Sequence, residues 1–323
     1  MVKTLIKWSC STGVALVFLS HAALAQTYPS QDIHMVTAFP PGSGADIITR
    51  FFAEKVKVAS GRTVIVENKV GAWGSIATEY VARAKPDCYT ILMSAGSATA
   101  AGMHLMKRPP VDVVKAFRIP ATMGRLAFVV AVDAKSPYTS LPQLTDAMKK
   151  KAKGATYEVA AQTGIVTAEL YKSITGVEAV QVLYRTSGDA LPELFNGNLD
   201  YVVIDPTLAL AQAGQGKIRI LAQGAATPIK ALGDIPPMAS VGVPGMDLIA
   251  WWAPHVPSAT PVNVINQINQ WFAQILNLPD TSEFLKKFGM DPFFLTPDEA
   301  QALFIKEEKA WAEYVKLAKI EPQ

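Results

Sequence analysis

Asp32-Ile33-His34-Met35-Val36-Thr37-Ala38-Phe39-Pro40-Pro41-Gly42-Ser43-Gly44-Ala45-Asp46 runs from apolar and β-branched residues through a stiff, glycine-rich turn into a new pattern. Residues 32–39 read as a strand. Beyond the turn, Ile47, Ile48, Phe51, Phe52 and Val56 recur at helical spacing, which predicts a helix over 45–58. The same alternation continues, with a strand over 63–67, a helix over 76–84 and a buried strand over 89–93. A β-α-β-α-β order predicts a parallel sheet covered on both faces by helices.

A second set of elements follows. Strands are predicted over 127–132, 156–160, 179–184, 199–204 and 218–223, and helices over 141–150, 167–174 and 189–195. Amphipathic helices dominate the end of the chain, over 261–276, 281–288 and 297–318. The expected fold class is α/β, with two lobes, each a helix-covered and mostly parallel sheet, and a cleft between them. Residues 26–124 and 241–323 are expected to form the first lobe and 125–240 the second. Two crossings near Gly124 and Val241 would make a hinge suited to closure around a ligand.

The first 25 residues carry a different message. Lys3 and Lys7 precede an apolar stretch through Val14, Leu16, Phe18 and Leu19, and Ala23-Leu24-Ala25 offers small residues where a signal peptidase cuts. This pattern predicts a cleaved secretory signal and a periplasmic protein. The apolar run is too short to cross a hydrocarbon core of ~30 Å. Cleavage after Ala25 removes two of the lysines behind the formal net charge of +3, leaving +1. No basic stripe remains, so no nucleic-acid partner is expected. Cleavage also removes Cys10 and leaves Cys88 alone, so the mature fold rests on its core, without an internal disulfide.

In open α/β sheets, ligands bind beyond the carboxyl ends of the strands. Three such turns stand out. The first contains Phe39, Pro41, Gly42, Ser43, Gly44, Ala45 and Asp46, and it ends on a helix N-terminus that favours a carboxylate or phosphate. Asp46 there is either a ligand contact or a cap paired with Arg50. The second contains Gly71, Ala72, Trp73 and Gly74, where Trp73 either covers an apolar ligand face or packs on the neighbouring lobe. The third contains Ser94, Gly96 and Ser97. Facing candidates in the second lobe are Gln162 and Thr163, then Tyr184 and Arg185, then Asp205. Arg185 either pairs with an acid or stays exposed, and Asp205 either meets a ligand donor or caps the turn with Pro206.

Nucleotide and enzyme motifs are missing. Gly42-x-Gly44 lacks its third glycine, and no phosphate-binding loop with a lysine occurs. There is no G-x-S-x-G elbow. His34, His104 and His255 are isolated, so no metal site is expected. Cys88 reads as a small buried residue more than a nucleophile. No cofactor is expected.

With these residues in place, the chain resembles a Bug-type solute-binding protein of the tripartite tricarboxylate transporters. The likeness runs from about Tyr28 to the C-terminus. It rests on Tyr28-Pro29, the Phe39-to-Asp46 turn with Arg50, Val66-Glu67-Asn68, Gly71-Ala72, Glu79-Tyr80-Val81-Ala82, Pro86-Asp87, Lys115-Ala116-Phe117, Ala168-Glu169-Leu170, Asp234-Ile235-Pro236 and Trp251-Trp252. The resemblance implies a two-lobed Venus-flytrap fold, a small carboxylate ligand and membrane permease subunits as partners. It also implies a non-enzymatic receptor acting as a monomer, with the first two turns gripping the ligand through backbone amides and waters. A sensor presenting its ligand to a kinase, or an enzyme acting on small acids, are the rival functions. Trp73 and Cys88 stand where the family usually has glycine, and the 160–165 loop is shorter than usual. Trp73 there would narrow the pocket or favour a flat aromatic acid.

Overall fold

The computed structural model describes residues 28–184, 186–317 and 320–322. The expected signal segment and Arg185 therefore lie outside the described residues. β1 (Ile33–Thr37), α1 (Gly44–Ser60), β2 (Val64–Asn68), α2 (Ser75–Ala82), β3 (Thr90–Ala95), α3 (Gly96–Leu105), α4 (Val113–Ala116), β4 (Phe117–Arg118) and β5 (Gly124–Leu126) come first. The middle of the chain supplies β6 (Val129–Asp133), α5 (Leu141–Lys151), β7 (Thr156–Glu158), α6 (Gln162–Thr175), β8 (Val180–Gln181), α7 (Ser187–Phe195), β9 (Tyr201–Ile204), α8 (Pro206–Gly214) and β10 (Ile218–Gln223). β11 (Ala250–Pro257), α9 (Val262–Leu276), α10 (Pro279–Lys287), β12 (Asp291–Pro292) and α11 (Pro297–Leu317) close the chain.

These strands form two sheets. One has the order β12-β5-β11-β3-β1-β2, with β4 added beside β11, and the other has the order β10-β6-β9-β7-β8. The expected α/β class holds, but the sheets are mixed, not mostly parallel. β1 pairs in parallel with β2 and β3, as the β-α-β-α-β reading requires. β11 runs antiparallel to both β3 and β5, because the chain re-enters this sheet from the other one. In the second sheet β6 is antiparallel to β9 and β10, while β7 is parallel to β8 and β9.

α1 illustrates how the sequence builds its layer. Ile48, Phe52 and Val56 recur every four residues and are buried, whereas Ile47 is 44% exposed. Full burial of a side chain such as Phe52 contributes about 1.5–3 kcal/mol. Gly61 ends the helix in a left-handed conformation (φ 66°), donating its N–H to Lys57 O. A residue without a Cβ adopts this geometry at little cost.

Several predicted boundaries move. α6 starts at Gln162, five residues before the predicted helix at 167, so Gln162 and Thr163 occupy its first turn and not a loop. Only Val180–Gln181 pair within the predicted strand at 179–184, so Tyr184 lies beyond it. Ser94 belongs to β3, and Gly96 opens α3 directly after it, without an intervening loop. α3 and β11 are additional elements. α3 is rich in Gly, Ala, Ser and Thr, which reads as a turn. Its small residues instead admit the Trp251 ring: a Cβ on Gly96 would lie 2.1 Å from it.

Candidate functional site

The carboxyl edges of the two sheets meet. Thr207, in the first turn of α8, donates its hydroxyl to Phe288 O at 3.2 Å. Gly289 lies so close to Pro206 that a Cβ there would come within 2.5 Å of it. The Phe288 ring also reaches the first turn, since a Cβ on Gly44 would stand 3.7 Å from its edge. Phe288 thus bridges the start of α1 and the start of α8. Elsewhere along the same edge, α6 packs on α3 and α11.

Asp46 organises the first turn. Its carboxylate accepts from Gly42 N (2.8 Å), Asn68 Nδ2 (2.7 Å) and Arg50 Nε (2.9 Å). Asn68 also donates to Phe39 O, so the end of β2 is tied to the turn after β1. Burial opposes ionisation, but the hydrogen bonds from Arg50, Asn68 and Gly42 and the Arg50 charge hold the carboxyl down at about 2. The Arg50 partner expected for Asp46 is present, but Asp46 is not the helix cap. Ser43 is the N-cap proper and accepts from Asp46 N. The N–H groups of Gly44 and Ala45 are left as open donors of the helix start. Phe39 lies 6.0 Å from Trp252, ring centroid to ring centroid. Pro41 sits in the turn that joins Phe39 to Ser43.

The second turn abuts the first: a Cβ on Gly74 would touch Ala38 at 3.3 Å. Gly71, Ala72 and Gly74 all have positive φ (132°, 44° and 88°). Ala72 is there despite its Cβ, a costly backbone state of the kind that collects at binding sites. The Trp73 backbone lies in the same short 3-10 turn. In the third junction, Thr99 donates to Ala95 O at 3.0 Å and approaches Ser94 Oγ at 3.3 Å.

Across the cleft, Asp205 accepts from Thr207 N and Leu208 N and caps α8, as one of its two readings expected. Thr163 is buried, and its carbonyl accepts from Thr167 Oγ1. Tyr184 is partly buried beside the core of α7 and α8. Glu158, which the sequence reading passed over, ends β7 with a fully buried side chain. Its Oε1 accepts from Ser187 Oγ at 3.0 Å. Burial pushes its carboxyl up to about 7, with Ser187 opposing and the Asp205 charge adding to the rise.

Buried polar atoms in folded proteins are nearly always hydrogen-bonded. Among the described residues, seven side-chain atoms are buried without a partner: Tyr201 OH, His255 Nε2 and Thr281 Oγ1 lie in β9, β11 and α10, and the other four are Thr37 Oγ1, Ser97 Oγ, Glu158 Oε2 and Gln162 Nε2. Thr37 and Glu158 are the last residues of β1 and β7, while Ser97 and Gln162 lie in the first turns of α3 and α6. All four therefore sit at the carboxyl edges. A separate groove lined by Gln31, His34, Glu79, Arg83, Lys85 and Asp87 opens at the amino ends of β1 and β3, and it contains none of the expected site residues.

Two α/β sheets joined by two crossings, with glycine turns and four of the seven unpartnered polar atoms where their carboxyl edges meet, define a two-lobed binding protein. The profile of the Tripartite tricarboxylate transporter family receptor matches residues 48–318. The chain belongs to this family of solute-binding receptors. It is 28% identical to protein BugT of Bordetella pertussis over 311 residues, covering 94% of both chains. Among solved structures it is similar to R. palustris Rpa4515 with adipate (TM-score 0.80, 26% identity, 92% of this chain and 100% of that one). It is likewise similar to the periplasmic binding protein BugD (TM-score 0.76, 26% identity, 92% and 100%).

Proposed function

We propose that this chain is a periplasmic receptor that closes two lobes over one small organic carboxylate and delivers it, chemically unchanged, to membrane permease subunits. Residues 26–124 and 241–323 form one lobe in this reading, and 125–240 the other. The observation that carries it is the set of unpartnered buried atoms on Thr37, Ser97, Glu158 and Gln162. Polar groups held dry without partners cost stability unless a ligand or water satisfies them. The open N–H groups at the start of α1 supply donors for a carboxylate, with the positive end of that helix behind them. The adipate bound to the R. palustris relative supports the ligand class. Export is supported by Lys3, the apolar run and Ala23-Leu24-Ala25. No described helix is long and apolar enough to cross a membrane.

Closure is a population shift, driven only by ligands that prefer the closed state. A thermal-shift series with succinate, adipate, citrate, benzoate, aspartate and glutamate tests the reading. A ligand at 100 times its Kd adds about 2.7 kcal/mol of stability. Selective stabilisation by one or a few of these acids is expected. No shift with any acid across a wide panel would overturn the assignment.

A further inference from the structure

Phe288 and Gly289, between α10 and β12, meet two other elements at once. On one side the Phe288 ring faces the start of α1, its edge 3.7 Å from where a Cβ on Gly44 would stand. On the other side Phe288 O accepts the Thr207 hydroxyl at 3.2 Å. Gly289 is seated there against α8, where a Cβ would lie 2.5 Å from Pro206 and 3.3 Å from Leu210. The turn is fixed in shape, because Phe288 N and Met290 N donate to Leu285 O and Gly289 N donates to Lys286 O. It is also fixed to α1. Phe51 stacks on Phe284 with centroids 3.8 Å apart, Phe284 packs on Phe288 at 4.9 Å, and Lys55 pairs with Asp280. The glycine turn of α1 and the Phe288–Gly289 turn are thus held to each other. Their meeting with α8 uses a neutral hydrogen bond and van der Waals seating, both easily made and broken. Two residues on, buried Asp291 accepts from Lys230 N and Ala231 N, each at 2.9 Å. Those charge-assisted bonds are the firmer attachment.

We propose that Phe288 and Gly289 are positioning residues for ligand capture. Their turn is a latch onto which Pro206 and Thr207 close, beside the α1 turn that takes the carboxylate, with Asp291 as the pivot. This rests on the receptor reading, in which α8 and residues 288–291 belong to different lobes. A contact made only in the closed arrangement shifts the open–closed equilibrium towards it and slows release of a bound acid.

The test places spin labels at Val58→Cys on α1 and Lys150→Cys on α5, both exposed, while buried Cys88 stays unlabelled. Pulsed electron resonance on the purified mature protein then reads the separation of the lobes. Gly289→Ala and Thr207→Val are each expected to shift it towards wider distances, and Thr207→Ser to keep the wild-type distribution. Gly61→Ala carries similar left-handed strain (φ 66° against 64°) with open space around it, so it should leave the labels in place. Calorimetric titration with succinate, adipate, citrate and glutamate supplies the second readout. For each acid that wild type binds, Thr207→Val should weaken binding about three- to tenfold and Gly289→Ala about tenfold or more. Should Gly289→Ala not fold, Thr207→Val decides. Labels that stay put in both variants, affinities that stay at wild-type values, or equal widening in Gly61→Ala each overturn the proposal and leave the receptor reading in place. Absence of binding by every acid across a wide panel overturns both.

Discussion

Asp46 accepts the amide hydrogen of Gly42 at 2.8 Å, so the glycine turn is tied to the helix that it introduces. The same carboxylate engages Asn68 and Arg50, which makes one side chain responsible for the shape of two segments. Asp46→Ala should leave several donors unpaired and cost about 2 kcal/mol. Urea unfolding at pH 7 measures this. Because folding lowers this carboxyl's affinity for protons, its contribution is present above the ordinary Asp range and is lost as pH falls towards about 2. The gap between wild type and variant should narrow accordingly. A loss of ligand affinity larger than the loss of stability would mark the turn as part of the binding wall.

Glu158 has the opposite sign. Its folded affinity for protons is raised, so its contribution is most favourable below its unfolded range and is lost as pH rises through about 7. Without ligand, Glu158→Gln should therefore be more stable than wild type at pH 8, by roughly 2 kcal/mol, and nearly equal to it at pH 4.5. Thermal melts across that range decide it. Glu307, raised to about 7 beside Trp251, follows the same direction and stays unaffected by this substitution.

Gly96→Ala should be among the costliest single-methyl insertions in the chain. The new Cβ would overlap the Trp251 ring, which is fully buried and donates through Nε1 to Glu307. Overpacking of this kind costs about 1–3 kcal/mol. A lowered Tm with a changed tryptophan emission is expected, and an unperturbed spectrum would show that α3 yields easily.

Cys88 should resist thiol reagents in the native state at pH 8. Its side chain is fully buried, and burial pushes the thiol up to about 12 despite a contact with Thr260. Labelling should appear only as the protein unfolds, at the rate of unfolding. Rapid labelling of folded protein would contradict this placement.

The periodicity of Ile48, Phe52 and Val56 and the run of Ile33–Thr37 made the first β-α-β unit legible, because local burial and local pattern agree there. β11 was not legible as a strand: its direction comes from the return crossing, and Ala250–Pro257 is buried throughout, so no alternation signals it. The same applies to α3, whose small residues answer to the Trp251 ring and not to a local preference. At the site, Asp46 and the glycine turns announce themselves through turn chemistry. Glu158 does not, since a single glutamate at the end of a short strand has no spacing to read. Only its depth and its half-satisfied carboxylate mark it.

The position of β11 has a consequence for how the chain matures. It lies between β3 and β5, so the first sheet lacks a central strand until residues beyond 250 have been made. The second sheet, drawn wholly from Val129 to Gln223, is complete well before that. A growing or partly translocated chain would thus hold one finished half and one with the bare edge of β3 exposed. Such an edge is a template for wrong pairing. The delay keeps the early part of the chain from locking into its final shape until roughly its last quarter emerges.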